Sequence, residues 1–122
     1  MKLLLLLIAL LSITILSCYY DSEEVLYPEL GSCDTTNVTF TTSVLHLMEN
    51  NCLSCHSNNT AASLGNNVKL ESYADISSKK SVILSSIKMD GSTSTMPKNG
   101  PKLKDCLVQQ FEIWVNNGAP EN

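Results

Sequence analysis

A chain of 122 residues with 12 acidic against 8 basic side chains, for a formal net charge of −4, has no surplus of cations to neutralise phosphates. That excludes nucleic-acid binding. The length allows one small domain and not two, and with only 6% of residues aromatic the core is thin and calls for a staple, a metal or a cofactor.

The chain opens MKLLLLLIALLSITILS, with one charge at Lys2 ahead of an apolar run interrupted by Ser12 and Thr14. Residues 1–17 read as a secretory signal. The run stops at Cys18, short of the about 20 apolar residues a membrane-spanning helix needs, which disfavours the alternative of an uncleaved anchor. Ile15, Leu16, Ser17 and Cys18 resemble the bacterial lipobox, with an aliphatic residue, then a small residue, then cysteine. The resemblance implies a bacterial source and lipidation of Cys18. It also implies an exported protein, lipid-anchored to a membrane on its periplasmic or cell-surface side.

Residues 18–36 read as the lipid anchor and an acidic tether, and residues 37–122 as the folded domain. Asp21, Glu23 and Glu24 weakly resemble the surface-export signals of some lipoproteins; a solvated tether accounts for them equally well. Residues 37–42, NVTFTT, have strand-like composition but are too few to define a sheet. A helix then follows, capped by Thr42 or Ser43, with Val44, Leu45, Met48 and Cys52 at helical spacing. Residues 57–69 form a polar loop with Gly65 as its turn residue.

A second helix is expected over 78–88, with Val82, Ile83, Ile87 and Leu84 as its apolar stripe, preceded by Leu70, Tyr73 and Ile76 repeating every three residues. Residues 91–102, GSTSTMPKNGPK, make a shaped loop around two prolines. From Leu103 the residues Cys106, Leu107, Gln110, Phe111, Trp114 and Val115 keep a three-four spacing, and Gly118 and Pro120 end this last helix. The domain is expected to be mainly α.

The stretch NNCLSCHSN carries the chemistry. As a thiol redox pair, Cys52 and Cys55 would belong at a helix N-terminus in a βαβ setting. Here they follow a helix, whose C-terminal dipole disfavours a thiolate. As half of a zinc site they lack two further ligands, since no second C-x-x-C or H-x-x-H exists and His46 or Cys106 would join only by accident of folding. The haem reading uses every residue: two thiols three apart add to the two vinyl groups of one porphyrin edge, and His56 becomes the proximal iron ligand. Cys18, Cys52 and Cys55 then have roles. Cys33 and Cys106 remain as a disulfide closing a loop of about 70 residues, which would stabilise the fold by roughly 4 kcal/mol; the alternative is that both stay reduced.

For the sixth iron position the candidates are His46, Met48, Met89 and Met96. Met48 faces the core, and His46 on the same short helix is held on the proximal side. Met96 lies forty residues after His56 in a loop, followed by Pro97, and a thioether is a soft ligand that favours ferrous iron. Met89, at a helix end, is the fallback.

CLSCH, STMPKNGPKL and LKDCLVQQFEIWVNNGAP together resemble a class I c-type cytochrome domain, closest to small cytochrome c lipoproteins of Bacteroidetes-like bacteria. The resemblance spans about residues 38–120. It implies an all-α cytochrome c fold, with three to four helices wrapped around one covalently attached haem c. Cys52 and Cys55 match the thioether positions, His56 the proximal ligand, Met96 the distal ligand and Trp114 the aromatic of the terminal helix. Ile113 departs from the pattern, standing where lysine or arginine is common.

With both axial positions filled, the resemblance implies a monomeric electron carrier and not an enzyme, cycling Fe(III) and Fe(II) with redox partner proteins. Lys98, Lys102 and Lys104 flank the Met96 loop as a docking patch or simply as a solvated surface. Two other readings stay open: a haem subunit of a larger redox enzyme, and a gas or redox sensor with an open sixth site.

Overall fold

The computed structural model describes residues 33–122; the signal sequence, the lipidation site at Cys18 and most of the acidic tether lie outside the described residues. Within the unit Asp34–Asn122 every regular element is helical and no strand occurs among the described residues.

Thr39 sets the first element going. Its backbone is extended, at φ −125° and ψ 166°, and its side-chain oxygen accepts from the Thr42 N–H at 3.0 Å. Phe40–Val44 then forms a π-helical turn, with the Leu45 N–H reaching back five residues to the Phe40 carbonyl. The strand-like composition of residues 37–42 is therefore overruled. Threonine is as good at capping a helix as at filling a strand, and no neighbouring strand to pair with occurs among the described residues. The first turn's N–H groups find partners far along the chain, Phe40 N–H on the Asn122 side-chain oxygen at 2.8 Å and Thr41 N–H on the Asn122 carbonyl at 3.0 Å.

Helix α1 (Leu45–Asn51) continues directly from this turn, and α2 (Leu53–His56) is a single turn after Cys52. Helix α3 (Tyr73–Lys88) starts five residues before the expected 78. Its cap is Ser72, whose hydroxyl accepts from the Asp75 N–H at 3.1 Å, so the serine-rich first turns are held by capping where apolar periodicity is weak. Met89, at φ 57° and ψ 40°, ends α3 in the left-handed region. Helix α4 (Asp105–Asn116) ends before Gly118, whose φ of 88° turns the chain back.

The π-turn packs on α1 and α4, and α3 packs on α4. At their meeting point Trp114 is fully buried. Phe40 and Tyr73 meet edge to face at 5.1 Å, and Trp114 lies 5.9 Å from Phe40 and 5.5 Å from Phe111. Burying an indole requires a partner for its N–H: Trp114 donates to the Pro120 carbonyl at 2.8 Å, and the Tyr73 hydroxyl donates to the Ala119 carbonyl at 2.9 Å.

The expected apolar faces hold with two adjustments. Val82 is 58% exposed and leaves the α3 stripe to Ile83 and Ile87, while Leu47 and Val108 join the core. Among the described residues no helix is long and apolar enough to cross a membrane.

Candidate functional site

The motif is a helical turn set on the end of another helix. Cys52 sits between α1 and α2 with φ −120° and ψ −40°, its N–H still bonded to the Met48 carbonyl at 2.8 Å. The Cys52 carbonyl in turn accepts from the N–H groups of Cys55 and His56 at 3.1 and 2.9 Å. Two cysteines and a histidine are thus gathered on one turn of backbone. Cys52 and Cys55 are free thiols. Burial pushes the Cys52 thiol up to about 11, so it stays protonated at neutral pH.

The polar loop 57–69 folds back over this turn. Ala61 N–H bonds Ser57 O at 2.9 Å, Gly65 N–H bonds Ala61 O at 3.0 Å, and Val68 N–H bonds Gly65 O at 2.9 Å. Asn66 and Asn67, at φ 50° and 61°, take the left-handed conformation that asparagine tolerates and bring Val68 round to the histidine. The His56 Nδ1 then lies 2.8 Å from the Val68 carbonyl oxygen. A carbonyl can only accept, so Nδ1 is the donor here, which in the neutral ring makes Nε2 the nitrogen that keeps the lone pair. The next contact along, Leu70 N–H to the His56 carbonyl at 2.9 Å, pins the same residue from its backbone side.

Met96 belongs to a second loop, fastened to the last turn of α3. A helix end leaves carbonyls without intrahelical partners, and the Ser86 carbonyl takes the Met96 N–H at 3.0 Å. Ser86 is the buried polar residue of the described core, and its hydroxyl lies 3.0 Å from that of Thr93. Two contacts on one serine therefore hold both ends of residues 93–96. The peptide bond between Met96 and Pro97 is cis.

Of the other candidates, Met48 is wholly buried in the core. The His46 side chain is 67% exposed and 3.6 Å from Glu49. Met89 and Met96 are both half-buried. Lys102 is paired with Asp105 at 2.8 Å, and Lys98 and Lys104 are exposed.

Cys33 and Cys106 are each disulfide-bonded. The described residues nowhere gather three His, Cys, Asp or Glu into a metal-holding group, which a closed zinc site built on Cys52 and Cys55 would require. The donor set does fit a c-type haem: two free thiols one turn apart, an adjacent imidazole whose Nδ1 is committed elsewhere, and a thioether, Met96, in a separate, anchored loop. Sequence reasoning missed the Val68 acceptor and the Ser86 anchor. The first is a backbone carbonyl with no residue signature, and the second is one serine among several in α3.

No family model matches the chain, and neither a curated protein nor a solved structure does.

Proposed function

We propose that this chain is an electron-transfer protein of the class I c-type cytochrome kind, a monomer exported and lipid-anchored through Cys18. Its helices would wrap one haem c, held covalently by Cys52 and Cys55, with His56 and Met96 as axial ligands. The observation that carries this reading is the joining, on one turn, of two free thiols to a histidine oriented by the Val68 carbonyl. A dithiol redox pair has no use for that orientation, and the raised Cys52 thiol is the opposite of what such chemistry needs.

Each cysteine would add its thiol across one vinyl group, sulfur bonding to one carbon and the thiol proton going to the other, so attachment needs no outside oxidant. The bound haem supplies an iron that exchanges single electrons between Fe(III) and Fe(II). His56 would present Nε2, and its Nδ1–H bond to Val68 makes the ring a stronger donor, as outer-shell hydrogen bonds do for metal-bound histidines. Met96 would add a soft, neutral thioether that favours the ferrous state. With both faces filled no position is left for substrate, so the chain's work is to hold, orient and shield.

The test is the absorption spectrum and intact mass of the exported protein. A covalently attached haem is expected, with a low-spin spectrum and the ferric band of Met-ligated cytochromes; Met96→Ala removes that band. A chain that leaves the haem-attachment machinery without covalent haem overturns the reading. A high-spin spectrum with rapid carbon monoxide binding would turn it toward a gas sensor.

A further inference from the structure

Resting on the haem reading of Cys52, Cys55 and His56, the geometry points to Gly65 as a positioning residue that sets how His56 presents its Nε2. The backbone does not demand glycine here. The left-handed glycines are Gly91 and Gly118, at φ 86° and 88°, and Gly65 is not among them. Space demands it. A Cβ at position 65 would lie 2.5 Å from the Cys55 carbonyl oxygen, 2.8 Å from His56 Nδ1 and 3.1 Å from the Ala61 Cα. All three separations fall inside the roughly 3.5–4.0 Å of a favourable non-bonded contact between carbon atoms.

Two of those three atoms are backbone and cannot swing away as the tip of a long side chain would. The third is the ring nitrogen whose hydrogen bond orients the imidazole. The loop cannot retreat outward either, because the Gly65 N–H is tied to Ala61 O at 3.0 Å and Ala61 is itself fully buried. Nor can position 65 move without position 68, since Val68 N–H bonds the Gly65 carbonyl at 2.9 Å and the Val68 carbonyl holds His56 Nδ1 at 2.8 Å.

Gly65 and Val68 therefore act as one strap, the first pressing on the ring and the second receiving its proton. A side chain at 65 has two outlets: it tilts the imidazole, or it lifts the strap and stretches the Val68 bond. Either weakens the donor strength of Nε2 toward iron, and a weaker imidazole donor stabilises Fe(III) less. The reduction potential rises.

The experiment compares holoprotein of wild type, Gly65→Ala and Gly118→Ala by voltammetry and by proton NMR of the His56 Nδ1–H. Gly118→Ala is the control. It forces a side chain into the left-handed region, while its Cβ would meet nothing within 4 Å, and it lies past the end of α4, outside both the strap and the Met96 loop. The expected result is a potential shifted upward and a faster-exchanging Nδ1–H in G65A, both as wild type in G118A. A wild-type potential and Nδ1–H in G65A, or equal shifts in the two variants, overturn the proposal.

Should G65A yield too little holoprotein, wild type alone decides. The strap requires Nδ1–H to exchange slowly, in step with the Gly65 amide, and a rapidly exchanging Nδ1–H beside a protected Gly65 amide overturns it. Absence of covalent haem from wild type would instead sink the haem reading, before Gly65 is tested at all.

Discussion

Ser72 and Asp75 hold each other at the start of α3. The serine hydroxyl accepts from the Asp75 N–H at 3.1 Å and donates to the Asp75 carboxylate at 2.6 Å. The Ser72 hydroxyl, helped by the charge of Lys79, keeps the Asp75 carboxyl below its ordinary value of 3.8. A carboxylate depressed in the folded state contributes stability above its unfolded value and loses it as pH falls through the folded one. Ser72→Ala should therefore lower stability at neutral pH by about 1 kcal/mol, the usual worth of such a cap. The gap from wild type should narrow as the carboxyl protonates below its ordinary 3.8; denaturant melts at pH 7 and pH 3 measure both.

That Cys52, Cys55 and His56 share one turn of backbone was legible in their spacing. Val68 was not, because what it contributes is a carbonyl that any residue has.

The loop holding Met96 is governed by the end of α3. Once Met89 turns left-handed, the Ser86 carbonyl loses its helical partner and takes Met96 N–H, while the Ser86 hydroxyl pairs with Thr93. If this latch holds the loop, Ser86→Ala and Thr93→Ala should be non-additive. The double-mutant cycle in denaturant should give a coupling of about 1 kcal/mol, the net worth of one hydrogen bond, and, on the proposed haem ligation, both variants should weaken the ferric band that Met96 would give. Additive effects would mean the hydroxyls act separately.

Helix α4 was legible because its apolar residues keep one face over three turns and Gly118 marks its end. Helix α3 was only half legible. Its first turn is stabilised by a cap and by Tyr73 and Ile76, spaced three apart, instead of by a continuous stripe. The π-turn at Phe40 was not legible at all, since five-residue hydrogen bonding leaves no period for a reader looking for 2 or 3.6.

For the whole molecule, a thin aromatic core was expected to need reinforcement, and Cys33 and Cys106 are both disulfide-bonded. Replacing both with serine should lower stability by roughly 4 kcal/mol in the chain-entropy model for a loop of about 70 residues. Thermal melts of the double variant against wild type measure it, and an unchanged melting temperature would count against a stapling role. The class of fold was legible from periodicity alone. How the first and last elements are joined was not, because the joint is made by Asn122, Ala119 and Pro120, residues that look like a trailing end.

That joint has a temporal consequence. The Phe40 amide waits for a partner 82 positions downstream, and the Trp114 and Tyr73 polar groups wait for carbonyls at 120 and 119. If the chain is exported as proposed, threaded through a membrane from its N-terminus, it would emerge with its opening turn uncapped and its largest ring unsealed. Such non-local closure is slow beside the formation of local helices, so on that reading Cys52 and Cys55 would stay accessible for as long as residues 119–122 are still on the far side.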